Sequence, residues 1–156
     1  MALKIEKETA KKLYPNVPEW YQKEMVAEFG EEFFKKEGYE SIKTFDDACR
    51  AIGTTELEFN EKFSILGLDI DTLNYEKIKV VAKAINNCWV PDWSNRDQYK
   101  YYPWFEVLSS GFGFSDSYYG CTFASTGVGS RLCFESSEKA KYAGTQFIDL
   151  YKQFLL

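Results

Sequence analysis

The sequence predicts an α+β fold, with a helical N-terminal part followed by a small antiparallel sheet of about three strands packed against two helices. Three observations carry this. Apolar residues recur at helical spacing from Tyr75 to Trp89. Short aromatic and β-branched runs, punctuated by glycines and small residues, fill Trp104 to Phe134. A last amphipathic stretch then runs to the C-terminus. A chain of 156 residues is near the size of one domain and can bury roughly 70% of its unfolded surface.

In chain order, residues 8 to 36 read as helix, interrupted at "YPNVPEW", where Pro15 and Pro18 remove backbone donors. The second half carries Trp20, Tyr21, Met25, Val26, Phe29, Phe33 and Phe34 on one face and ends near Gly38. A short helix follows, opened by a capping box of Thr44 and Asp47 and closed at Gly53, with Phe45, Ala48, Cys49 and Ile52 facing inward. Residues 54 to 71 have weak periodicity and stay open between a loop and a short extended connection. From Asn74 a stripe of Tyr75, Ile78, Val81, Ala82, Ile85, Cys88 and Trp89 defines the clearest helix, with Pro91 marking its end. Strands are predicted at Trp104 to Leu108, Tyr118 to Ala124 and Val128 to Phe134, the first broken by Gly111 and Gly113 and the last two joined through "STG". Short connections make this an antiparallel meander, because a parallel pair needs a long crossover. The final helix is capped by Ser136 or Ser137 and presents Ala140, Ala143, Phe147, Ile148, Tyr151, Phe154 and Leu155. The reading gives an acidic helical subdomain over 1–70 and an α+β subdomain over 71–156, forming one compact unit.

Charge and composition exclude several functions. The formal net charge is −5, all of it from residues 1 to 70, which hold 15 Asp and Glu against 10 Lys and Arg. With no basic cluster, duplex nucleic acid is not an expected partner. The N-terminus offers no apolar signal region and no segment is long and apolar enough to span a bilayer, so a cytoplasmic protein without membrane contact is expected. The four cysteines, Cys49, Cys88, Cys121 and Cys133, form no CxxC pair and read as buried reduced thiols. Histidine is absent, which removes the commonest general base and most transition-metal sites. No catalytic residue, metal site or cofactor is expected. Asp69 and Asp71 read as a solvated pair at a helix start, lacking the rest of a calcium loop. "GFGF" and "STGVGSR" match neither a Walker A loop nor a dinucleotide fingerprint, and their glycines read as turn or bulge residues.

Trp89 to Phe123 carries 12 of the 28 aromatic residues. Within it Trp93, Arg96, Tyr99, Lys100, Tyr101, Tyr102 and Trp104 mix ring faces with cations, a mixture used to stack bases, sugars or partner side chains. The same rings could instead fold back on the sheet as a satellite core, since a long loop needs aromatic anchors. Arg131 alternates with Leu132 on a strand, so it faces outward, where it pairs with Glu106 or Asp116 or holds a small anionic ligand. The candidate binding residues are therefore Trp93, Arg96, Tyr101, Tyr102, Trp104 and Arg131.

The segments "FDDACRAIG", "YEKIKVVAKAIN", "WVPDWSNRDQYKYYPWF", "VGSRLCF" and "AKYAGTQFIDLYKQFL" resemble a group of small proteins of gut-bacterial genomes and their phages or prophages. The resemblance spans residue 44 to the end, carries no activity, and implies a mobile-element context. The leading expectation is a non-enzymatic protein that binds a host or phage protein through the aromatic loop and sheet. A nucleotide-type ligand held by Arg96 or Arg131 is the alternative, and a carboxylate enzyme or one using Cys133 is the third.

Overall fold

The structure, a computed structural model, describes residues 5–34, 38–121 and 131–156. Backbone packing divides it into two units, Met1–Gly38 and Tyr39–Leu156.

In the first unit, α1 (Lys7–Leu13) runs into a 3-10 turn at Tyr14–Asn16, and α2 (Glu19–Phe29) starts directly after Pro18. The interruption at the prolines is as the sequence predicts. The end of α2 is not. Gly30, at φ 85°, stops it eight residues before Gly38, leaving α3 (Glu31–Phe34) as a single turn. Of the predicted apolar face only Met25 is fully buried, and Trp20 is 64% exposed. Tyr14 stacks on Phe34 with ring centres 4.1 Å apart.

The second unit holds the main core. α4 (Phe45–Ala51) has the predicted capping box: the Thr44 hydroxyl accepts from Asp47 N–H, and the Asp47 carboxylate accepts from Thr44 N–H at 2.8 Å. Gly53, at φ 86°, is the left-handed residue beyond its end. The stretch left open by the sequence is a helix, α5 (Glu56–Leu66), with a second capping box of Thr55 and Glu58 and a left-handed Gly67 at its close. α6 (Ile70–Ile85) begins four residues before Asn74, capped by Asp69, which accepts from Thr72 N–H at 2.9 Å. Ile78, Val81, Ala82 and Ile85 are buried as the stripe predicts. Cys88 and Trp89 lie past the helix end, a correction with a local cause. Asn87 and Cys88 take left-handed angles, φ 52° and 62°, so the chain leaves the helical path and Cys88 is exposed rather than buried. Cys121 is half-buried, and Cys49 and Cys133 are buried as expected.

β1 (Lys100–Leu108) and β2 (Gly111–Gly120) form an antiparallel hairpin joined by Ser109 and Ser110. Gly111, at φ 118°, opens β2 rather than breaking a strand, and Gly113 sits inside it opposite Glu106. The bulge lies at Ser115, between the pairs Trp104–Asp116 and Phe105–Phe114. Two strands, not three, make the sheet among the described residues. The described part of the predicted third strand, residues 131–134, makes one bridge, Tyr101 to Phe134, with reciprocal backbone bonds of 2.9 and 2.6 Å. Pro103 supplies the reason. The next rung of that ladder would need Pro103 to donate an N–H to Leu132, and proline has none. Val128 to Ser130, Gly127, Gly129 and the "STG" connection lie outside the described residues.

The C-terminal helix is two helices, α7 (Ser137–Gln146), capped by Ser136, and α8 (Ile148–Leu155), with a break at Phe147 (φ −111°, ψ 29°). α7 lies on the inner face of the hairpin, while α4 and α8 pack against α6. Gly144 of α7 touches Phe114 and Pro103, and Phe105 meets the Tyr151 ring at 4.9 Å. α7 also fastens the start of the unit: the Tyr142 hydroxyl donates to Glu40 and Ile42 carbonyls, and Gln146 donates to Lys43 O. No helix of the described residues is long and apolar enough to cross a membrane.

Two predictions arise here. The Tyr151 hydroxyl is buried with no hydrogen-bond partner among the described residues, and burial pushes its pKa up. Tyr151→Phe removes this orphaned group, and is expected to stabilise the fold by about 1 kcal/mol in urea titration; a loss of stability would mean that the hydroxyl is satisfied. The second concerns acid. Hydrogen bonds at the helix caps hold Asp47 and Asp69 below the usual carboxylate range, Asp47 through Thr44 and Asp69 through Thr72. Because their folded pKa values are depressed, their contribution is present above the unfolded pKa and is lost as pH falls through the folded values. Stability should hold between about pH 7 and 5 and decline below about pH 4, as measured by thermal melting.

Candidate functional site

The hairpin places alternate side chains of β1 on opposite faces. Tyr101, Pro103 and Phe105 turn toward the helices. Tyr102, Trp104 and Glu106 turn away. Tyr118, which pairs with Tyr102 across the strands, joins that outer row: its ring centre is 6.4 Å from Tyr102 and 5.3 Å from Trp104. Trp104 is 47% exposed and Tyr118 58%, while Tyr102 is half-buried. Neither hydroxyl nor the Trp104 indole N–H meets a protein acceptor among the described residues. Large rings exposed or half-exposed on one sheet face form a surface suited to contact.

Two carboxylates stand on this face, Glu106 and Asp116. Glu106 is exposed, and the Asp116 carboxyl is held low chiefly by Lys141, whose ammonium lies 2.9 Å away. Asp116 is thus already paired, and not with Arg131. A second group of rings, Tyr99, Tyr101 and Tyr119, continues along the hairpin end, with Tyr99 edge-on to Tyr119 at 5.0 Å.

The six predicted residues separate into three kinds. Tyr102 and Trp104 share the outer face. Trp93 is a half-buried anchor, because the Lys100 ammonium lies 5.2 Å from its ring centre. Lys100 itself is 1% exposed, and its Nζ donates to the main-chain carbonyls of Asn95 at 3.1 Å and Cys121 at 3.2 Å. This fastens the loop to the strand end, helped by Asp92, which accepts from Ser94 N–H and Oγ. Tyr101 belongs with the core side and bridges to Phe134. Arg96 and Arg131 are exposed, with no hydrogen bond or ion pair among the described residues. Tyr118 is the residue that sequence reasoning missed, since only the strand register puts it beside Tyr102.

No family model, curated protein or solved structure matches the chain.

Other chemistry is weakly served. A groove of about 260 Å³ is lined by Lys43, Phe45, Lys77 and Phe147, but Glu56 and Asp149 balance its cations, and neither Arg96 nor Arg131 lines it. Among the described residues no group of three Cys, Asp or Glu side chains could hold a metal ion. Burial pushes the Cys49 and Cys133 thiols up to about 11, so the nucleophilic thiolate is scarce at neutral pH. At pH 7.5 a thiol reagent is expected to label Cys88 first, with Cys49 and Cys133 reacting only on unfolding; mass spectrometry of timed samples gives the order.

Proposed function

We propose that this is a non-enzymatic binding protein, acting in a phage or mobile-element setting, that seats a host or phage protein on the outer face of the hairpin. The observation that supports it is the uncovered row of Tyr102, Trp104 and Tyr118 on a sheet whose other face is packed on α7. Aromatic residues of this kind carry a large share of binding energy at protein interfaces. A small nucleotide-type ligand is less well served, because the exposed arginines do not converge on the groove.

The test compares wild-type protein with the Trp104→Ala/Tyr118→Ala double variant in capture from bacterial lysate, followed by reconstitution with the purified captured protein. The two rings together should account for at least about a hundredfold in affinity. Melting temperature checks that the variant is folded, and capture equal to wild type by a folded double variant would refute this face. Trp93→Ala is a different kind of change. It should lower stability by about 1–2 kcal/mol through the lost ring over Lys100, and leave the affinity of the folded protein unchanged.

A further inference from the structure

We propose that the groove bounded by α4, α6 and the starts of α5 and α8 is a binding site for a small zwitterion, an α-amino acid with an apolar side chain. The site shares no residue with the outer face of the hairpin and stands apart from what binds there.

Size and apolar lining come first. The groove measures about 260 Å³, below the roughly 300–1,000 Å³ of pockets that enclose drug-sized ligands, so it holds a molecule of amino-acid size rather than a nucleotide. Phe147, which is 6% exposed, and the half-buried Phe45 and Leu150 give it an apolar wall. Both rings are fixed. Phe45 meets Phe59 edge-on at 5.0 Å, and Phe147 belongs to the core where α7 gives way to α8.

Four charged side chains line the same groove, Lys43 and Lys77 with Glu56 and Asp149, and none of them makes an ion pair among the described residues. Comparable residues elsewhere do pair, Lys79 with Glu76 and Lys139 with Glu135. Lys77 and Glu56 are also half-buried, where a charge without a partner costs more than on open surface. The Lys77 ammonium lies 5.6 Å from the centre of the Phe45 ring, so it is held over the apolar wall. After burial and Asp46, Glu56 raises and Lys77 lowers the pKa of the buried Cys49 thiol, which places both charges on the α4 side of the groove.

Opposite charges that share a groove without touching select a ligand that carries both signs. A lone carboxylate would be drawn to the lysines and repelled by Glu56 and Asp149, and a lone amine would meet the reverse. The balance that disfavours a phosphate is what a zwitterion needs. The carboxylate of an α-amino acid pairs with Lys77 and its ammonium with Glu56 or Asp149 through charge-assisted hydrogen bonds, while its side chain lies against Phe45, Phe147 and Leu150.

The experiment titrates the ¹⁵N-labelled full chain with L-leucine and L-phenylalanine at millimolar concentrations. Isocaproate, which is leucine without its ammonium, isoamylamine, which is leucine without its carboxylate, and glycine, which keeps both charges but no side chain, serve for comparison. Saturable shifts of the Phe45, Glu56, Lys77 and Leu150 amides are expected with at least one of the two amino acids, and each comparison compound should bind about tenfold or more weakly. Lys77→Met should weaken binding by about tenfold or more, and so should Glu56→Gln combined with Asp149→Asn, with melting temperature checking that each variant is folded. Trp104→Ala/Tyr118→Ala should bind the amino acids as wild type does. No saturable shift with either amino acid, equal affinity for isocaproate or isoamylamine, or shifts centred on the hairpin would overturn the inference. Full affinity in a folded Lys77→Met would overturn it too, and the wild-type titrations decide the matter should that variant not fold. The two sites are separate, so failure here leaves the outer face to stand or fall by its own capture test.

Discussion

Gly144→Leu is expected to destabilise the protein by about 3 kcal/mol or more, a large fraction of the stability of a domain this size. A Cβ built at Gly144 would stand 2.5 and 2.7 Å from two atoms of the Phe114 ring and 2.8 Å from Cβ of Pro103. Neither neighbour yields easily. Phe114 is held against Phe105 in the inner layer, and Pro103 is a buried ring fixed to the backbone of β1. The absent side chain is therefore what lets α7 approach the hairpin. Gly144→Ala separates two opposed effects, since alanine gains about 1 kcal/mol of helix propensity over glycine while still clashing. Packing should win by a modest margin, with a net loss of about 1 kcal/mol. Urea midpoints for the two variants decide the matter. A stabilised Gly144→Ala would show that α7 can move away from the sheet without penalty, and the inner layer would then be softer than the geometry implies.

Much of the fold was legible because its signals are local. The Thr44 and Asp47 capping box, Gly53, the Ser136 cap and the stripe from Tyr75 to Ile85 all depend on residues within a few positions of one another, and the structure contains each of them. α5 was missed for an understandable reason. Only Phe59 is buried on it, and Ile65 is 86% exposed, so its apolar residues do not trace one face. The signals that would have found it were its caps, Thr55 with Glu58 and then Gly67. The described end of the predicted third strand, residues 131 to 134, is a different case. Its residues have strand-like alternation, but the decision lay with Pro103 on the neighbouring strand, and no reading of residues 128 to 134 alone contains that fact.

The candidate site was half legible. Aromatic density marked the stretch that holds the outer row, but the predicted strand began at Trp104, and only the observed start at Lys100 puts Tyr102 and Trp104 on one face. Tyr118 enters through strand register and the bulge at Ser115, which shift with every residue gained or lost between the strands. Trp93 looked like a contact residue because aromatic rings interspersed with Arg96 and Lys100 in one stretch of sequence resemble a binding surface. In the folded chain the pairing of Trp93 with Lys100 is internal, with Lys100 buried between the ring and two carbonyls. An identical composition thus serves packing or recognition according to which side of the strand each residue occupies, and that is settled by long-range contacts.

Asn86→Ala is expected to be the second severe change, costing about 2–5 kcal/mol, because it removes two buried hydrogen bonds to the main chain. Asn86 sits at the C-terminal cap of α6 and is buried. Its Nδ2 donates to Cys133 O at 2.8 Å, and its Oδ1 accepts from Glu135 N–H at 3.0 Å. These bonds bracket Phe134, which is fully buried and forms the bridge to Tyr101. One amide thereby fixes the segment that leads into α7 to the end of α6 and to the edge of the hairpin. Asn86→Asp should be worse than alanine, since it keeps the acceptor but turns a carboxylate toward the Cys133 carbonyl in a buried place. Hydrogen exchange supplies a local readout, because the Glu135 amide should lose protection in Asn86→Ala beyond the global loss measured by denaturation. A cost below about 1 kcal/mol would show that water replaces both bonds and that the segment is not held by Asn86. The bracket joins the hairpin at its edge through Tyr101, whose side chain turns away from the outer row, so the folded fraction of Asn86→Ala should bind a partner with unchanged affinity, which makes it the control that separates stability from recognition.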